Sequence, residues 1–269
     1  MKRFLLLIAA LLFSTSLWAQ NTLEVAGSTT LFPLIKELSS LYMDDNKGVT
    51  VNVRPGGSGT GIKSLNKNKA DIAMASRLLT TQEEQEMPTI RRQVIAYDAL
   101  SVIVHPSNPV DQLTMEQIRD IFSGKIKNWK EVGGRNETIQ LFNRDKSSGT
   151  YGFMLEQVLE GQAFSPDALE LESNSGIVQQ VSKNRAGIGY IGLAYAEDIV
   201  RTVAVKKGAG AYVKPTFKNA MEKKYPIIRP LSLFYLPSKE DKVKKFIDFA
   251  MSSIGQKLAA YEGYIPASF

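Results

Sequence analysis

Arg144-Asp145-Lys146-Ser147-Ser148-Gly149-Thr150 is the stretch around which the chain organises itself. Before it, Ile139-Gln140-Leu141-Phe142 is a short apolar run that reads as a strand. After it, Tyr151, Met154, Leu155, Val158 and Leu159 recur at helical spacing and predict one apolar helix face. A loop of hydroxyls, glycine and one arginine therefore stands where a helix begins. Free N–H groups and the positive end of the helix dipole point out of such a terminus, and a guanidinium adds a forked cationic donor. That combination suits an oxyanion. Taken alone, the loop reads equally well as an ordinary Ser/Thr helix cap beside a surface arginine.

The same arrangement recurs upstream. Thr22 to Ala26 reads as a strand, Gly27-Ser28-Thr29-Thr30 breaks it, and Leu31, Leu34, Ile35, Leu38 and Tyr42 follow at helical spacing, with Pro33 in the first turn. Val49 to Val53 is a second strand, leading into Pro55-Gly56-Gly57-Ser58-Gly59-Thr60-Gly61 and another helix. Ile62 intervenes before Lys63-Ser64, so the nucleotide P-loop pattern fails by one residue. The evenly spaced Gly57, Gly59 and Gly61 also miss the dinucleotide fingerprint. Ala70 to Ala75 is a third strand, ending in Ser76-Arg77.

Two long apolar runs, Ala96 to His105 and Ile227 to Leu236, read as strands that leave one lobe and return to it. Between them, Thr114 and Gln117 form a capping-box pair, and Ser173-Asn174-Ser175-Gly176 caps a helix that runs from Ile177 to Lys183. Lys239 to Ser252 and Ile254 to Tyr261 read as closing helices. Alternating strands and helices imply an α/β fold with ligands at the carboxyl ends of strands. The expected division is a leader at 1–19, lobe I at 20–101 plus 233–269, and lobe II at 102–232.

Composition narrows the chemistry. The 269 residues are 43% hydrophobic, with 33 basic and 27 acidic side chains spread along the chain. No dense basic stripe argues for a nucleic-acid partner. There are no cysteines and one histidine, His105, which excludes disulfides, thiolate sites and His clusters. No metal or cofactor is expected. Met1-Lys2-Arg3 followed by Phe4 to Phe13 and a small-residue site at Ala19 reads as a cleaved secretory signal peptide, placing the mature protein in the periplasm.

Taken in order, Gly27-Ser28-Thr29-Thr30-Leu31, Gly57-Ser58-Gly59-Thr60-Gly61, Asp71 to Arg77, Ile121 to Trp129 and Arg144 to Thr150 resemble the motifs of the phosphate-binding proteins of bacterial ABC importers. The resemblance spans nearly all of the mature chain. It implies a two-lobed type II periplasmic binding fold with two crossing hinge strands. Such a protein is a monomer that captures inorganic phosphate for a membrane permease and carries out no reaction on it. By position it implies phosphate contacts from Thr30, the Leu31 N–H, Ser58, Arg144, Ser148, the Gly149 N–H and Thr150. Ser28, Thr29, Gly59, Thr60, Ser76 and Ser147 are neighbours with secondary roles.

One position departs from the family. Some members place an aspartate after the serine of the third strand, where it accepts a hydrogen bond from protonated phosphate; here Arg77 stands there. The expectation is that Asp98 supplies the acceptor, and that Arg77 adds charge to the site or pairs with Asp98 or Asp71. The competing readings are a receptor for another oxyanion, a secreted adhesion or signalling protein, and a hydrolase using Ser148 or Thr150 with Lys146.

Overall fold

The computed structural model describes residues 21–268. The leader expected at 1–19 lies outside them. The expected βαβαβ start is present: β1 (Asn21–Gly27), α1 (Phe32–Asp45), β2 (Val49–Pro55), α2 (Ser58–Asn66) and β3 (Ile72–Ala75). These strands pair in parallel with β1 in the middle. Pro33 opens α1, where its missing N–H costs no helical bond. A short capped helix, α3 (Thr81–Glu86), then leads to β4 (Arg91–Val104). This strand starts five residues before the expected Ala96, because Arg91 to Val94 pair with the end of β11 (Ile228–Tyr235).

The crossing strands organise the rest. The chain passes through β5 (Gln112–Thr114), α4 (Met115–Phe122), β6 (Gln140–Arg144), α5 (Gly149–Gln157), β7 (Leu169–Leu171), α6 (Asn174–Lys183) and β8 (Gly187–Gly192). It continues through β9 (Arg201–Thr202), β10 (Ala204–Lys206) and α7 (Phe217–Met221) to β11. The main sheet runs β2-β1-β3-β11-β4-β8-β6-β7, and β9 also pairs with β4. In β4, Arg91 to Ala99 pair with β11, whereas Leu100 to Val104 pair with β8. One strand thus belongs to both halves of a curled sheet.

Each half has its own core. Leu23, Val25, Leu34, Ile72, Leu231 and Phe246 are among the side chains packed under β1–β3 and α8 (Glu240–Met251). Val102, Leu113, Phe122, Trp129, Met154 and Tyr190 lie in the core of the other half. Burying these side chains, at about 1.5–3 kcal/mol each, holds the two lobes as separate bodies joined by β4 and β11. Helix α9 (Ser253–Tyr261) and β12 (Ile265–Pro266) return to β4. The Thr114–Gln117 capping box forms as expected. After β8 the chain makes a single 3-10 turn, Leu193–Tyr195. The short elements β5, β7, β9, β10, β12 and α7 have too few residues to show a period. Among the described residues no helix is long and apolar enough to cross a membrane.

Candidate functional site

The strand ends singled out in the sequence meet where the lobes touch. Thr30 lies just before α1, and Leu31 opens that helix with no side-chain cap. Gly57, at φ 88°, opens α2 and likewise provides no side-chain cap. Neither Leu31 nor Gly57 carries a side-chain acceptor, so two helices in this region start without a side-chain cap over their first N–H groups. Their carbonyl neighbours are held elsewhere: the Tyr264 hydroxyl donates to Thr30 O at 2.7 Å, and the Tyr195 hydroxyl donates to Thr29 O at 2.5 Å. Burial pushes both phenols above their ordinary range, so they stay protonated donors.

Behind the loops is a serine network. The Ser28 hydroxyl donates to Ser76 Oγ at 3.1 Å and accepts from the Thr30 N–H at 3.2 Å. Ser58 Oγ accepts from the Ser76 N–H at 3.1 Å. From the other lobe, Ser148 caps α5 by accepting from the N–H groups of Thr150, at 3.1 Å, and Tyr151. Gly149 is set against this network: a Cβ there would stand 2.6 Å from Ser76 Oγ and collide with Ser58 Oγ. Thr150 Oγ1 is 3.2 Å from Thr30 Oγ1, and Asn174 Nδ2 donates to the same Thr30 hydroxyl at 3.3 Å.

Two guanidiniums enter this cluster. Arg144, at the end of β6, is 0% exposed. Its Nε donates to Leu171 O at 3.1 Å, and its Nη2 donates to Glu172 O at 2.8 Å and Thr29 Oγ1 at 3.1 Å. Its Nη1 has no partner among the described residues. Burial, with the nearby charge of Arg229, pushes its ionisation down; Tyr190 and Asp145 act against this. Arg229, on β11, is also 0% exposed and also has an unpartnered Nη1. Its Nε and Nη2 donate to Asp98 Oδ2 at 3.0 and 2.7 Å, and its Nη2 reaches Thr30 Oγ1 at 3.3 Å. Burial pushes the Asp98 carboxyl up, against the pull of Arg229 and of the Leu193 N–H at 3.0 Å from Oδ1.

The cluster thus gathers Ser28, Thr29, Thr30, Leu31, Ser58, Ser76, Asp98, Arg144, Ser148, Gly149 and Thr150. Four expected residues, Arg77, Thr60, Ser147 and Gly59, sit apart from it. Arg77 is not paired with Asp98 or Asp71; it forms a two-pronged bridge to Glu83 at 2.7 and 2.8 Å, because the capped start of α3 brings that carboxylate to it. Asp71 instead binds Lys242 and Lys239. Thr60 is exposed on the outer side of α2. Ser147 spends its hydroxyl on Asp145 and on Gly56 O, and its carbonyl accepts from the Gly59 N–H at 2.9 Å, which also occupies Gly59. Arg229 and Asn174 also enter the cluster, both reaching Thr30 Oγ1, and the sequence reading singled out neither. In the sequence Asn174 stands only as part of a helix cap, and Arg229 only as one residue of the long apolar strand from Ile227 to Leu236.

The model of the PBP superfamily domain matches residues 14–253. The phosphate-binding protein PstS of Borreliella burgdorferi is 33% identical over 258 residues, covering 91% of this chain and 90% of that protein. The chain belongs to the PstS family of the PBP superfamily.

Solved structures agree with this family assignment. A crystal structure with bound phosphate from Clostridium perfringens, described as a candidate phosphate ABC transporter substrate-binding protein, is 32% identical with a TM-score of 0.86. It covers 92% of this chain and 100% of that one. An ABC-type phosphate transport receptor from Vibrio cholerae is 32% identical with a TM-score of 0.74, covering 90% and 99%. Membership of the PstS family and these structural neighbours account for the two-lobed α/β architecture. The site is of the binding kind: Ser148 caps its own helix, Thr150 faces Thr30, and Lys146 is exposed.

Proposed function

We propose that the protein is a monomer that captures inorganic phosphate between its lobes in the periplasm and hands it to the membrane permease of an ABC importer. The observation that carries this reading is the fully buried Arg144, whose Nη1 is unpartnered among the described residues and whose surroundings are hydroxyls and helix termini without side-chain caps. A buried cation with a spare donor in a water-excluded site favours an anionic ligand. The relatives named for phosphate binding support the choice of anion.

In this reading Thr30, the Leu31 N–H and Ser58 hold phosphate from one lobe. Arg144, Ser148, the Gly149 N–H and Thr150 hold it from the other. Ser28 and Ser76 set the hydroxyl orientations, and Thr29 braces Arg144. The lobes divide at the crossing strands, with 20–101 and 233–269 on one side and 102–232 on the other. No bond is made or broken in the ligand.

Calorimetric titration tests the proposal. Phosphate is expected to bind at about micromolar or tighter, near −8 kcal/mol. Arsenate should compete, while molybdate and sulfate measure how closely size and proton count are read. A protein that takes up no phosphate, by heat or by a shift in melting temperature, refutes the proposal.

A further inference from the structure

Arg229 sits at a particular point of the fold. It is the register partner of Asp98 on the crossing strands, one residue from where β4 passes from β11 to β8. A guanidinium is planar and rigid, with donors on two usable edges. Asp98 Oδ2 takes the Nε/Nη2 edge. The Nη1/Nη2 edge faces the Thr30 hydroxyl, and its Nη1 has no acceptor among the described residues. The ring of Phe153, on α5, lies 5.8 Å from the guanidinium carbon and helps keep the group dry.

Two guanidiniums with spare donors thus approach one cluster; Asp98 is the buried carboxylate among them, and Asp145 acts on Arg144 from a partly exposed loop. Like charges gather in a dry site at a cost unless an anion joins them. Three of the roughly four acceptor positions of the Asp98 carboxylate are engaged. Asp98 Oδ2 accepts twice from Arg229 and Oδ1 accepts from Leu193 N–H. Gly192 closes the remaining side, since a Cβ there would lie 2.8 Å from Oδ2 and 3.1 Å from Oδ1.

We propose that Arg229 is a second anion-binding cation of the cleft, and that Asp98 is a positioning residue that aims it rather than an acceptor for a ligand proton. The proposal rests on the phosphate reading above. It places one anion contact on a strand shared by both lobes, so the ligand's charge acts directly at the crossing point. It also means that this carboxylate does not separate phosphate, which carries a proton, from sulfate, which does not.

The test is calorimetric titration of the mature protein with phosphate and with sulfate, in wild type, Asp98→Asn, Arg229→Lys and the double variant Asp98→Asn/Arg229→Gln. The double variant replaces both charges with near-isosteres, so neither is left buried alone. It is expected to melt cooperatively and to lose phosphate affinity by about tenfold or more. Affinity within about threefold of wild type in a folded double variant removes Arg229 from the site. Should that variant unfold, Arg229→Lys decides: it keeps the charge but loses the fork, so a drop of about fivefold or more is expected, and unchanged affinity overturns the proposal. Asp98→Asn is expected to leave the ratio of phosphate to sulfate affinity within about twofold of wild type. A variant that admits sulfate where wild type excludes it makes Asp98 the proton acceptor and overturns its positioning role. A wild type that binds no phosphate removes the underlying reading instead.

Discussion

Replacing Gly149 with alanine separates closure of the lobes from their folding. Gly149 has an ordinary helical backbone and is the first residue of α5. Alanine there should favour the isolated helix by up to about 1 kcal/mol. The reason for glycine lies across the cleft, where an added Cβ would be 2.6 Å from Ser76 Oγ and 2.9 Å from Ser58 Cβ. Ordinary contact requires the lobes to separate by about 1 Å. The Thr30–Thr150 contact at 3.2 Å, the Asn174–Thr30 bond at 3.3 Å and the Gly59–Ser147 bond at 2.9 Å would then stretch beyond useful length. At about 0.5–1.5 kcal/mol each, their loss is worth about 1.5–4.5 kcal/mol, or roughly tenfold to a thousandfold in affinity. The free protein should melt at the wild-type temperature or above it, while calorimetry shows the weaker binding. Affinity within about threefold of wild type would refute the steric argument; a fall in melting temperature without ligand would show that Gly149 serves folding instead.

Three further outcomes follow from named contacts. Arg144→Ala should cost about 2–5 kcal/mol of phosphate binding, because it removes a buried charged donor and leaves Leu171 O and Glu172 O unpaired; calorimetry showing an unchanged constant would take Arg144 out of the site. Arg77→Ala should leave phosphate affinity within about threefold of wild type, since Glu83 already holds that guanidinium. A loss equal to that of Arg144→Ala would return Arg77 to the ligand shell. Burial alone would raise the Asp71 carboxyl, but the Glu24 N–H, Lys242 and Lys239 outweigh it and hold its ionisation below the ordinary 3.8. A depressed carboxyl stabilises the fold above its unfolded pKa and loses that contribution as pH falls through the folded one. In urea unfolding, Asp71→Asn should therefore be less stable than wild type at neutral pH, with the gap closing in acid. A gap constant across the whole range would contradict this linkage.

Much of the site was legible because its parts are local. Gly27 to Leu31, Gly57 to Gly61 and Arg144 to Thr150 each carry their message within a few residues of a strand end, and helix starts are set by neighbours in the chain. The strands β1 to β3 and helix α1 showed their period for the same reason. The partner of Arg77 was not legible because Glu83 sits in the first turn of α3, where it also forms a capping box with Thr80. The contacts of Ser147 were not legible because nothing in its own loop shows that Gly56 and Gly59 arrive from the other lobe.

The amino-acid sequence by itself determined the succession of strands and helices, the hydroxyl-rich loops at helix starts, and the family they identify. Those features depend on periodicity and capping, which act over one or two turns of chain. Only the tertiary structure decided which side chains share a dry space. Arg229 and Asp98 are 131 residues apart and meet because β4 and β11 cross in one register. Their pairing exists only after the lobes have folded around those strands, so no local pattern could announce it. Burial then gives Arg144 and Arg229 their significance, because a guanidinium that water would satisfy at the surface must find an anion inside.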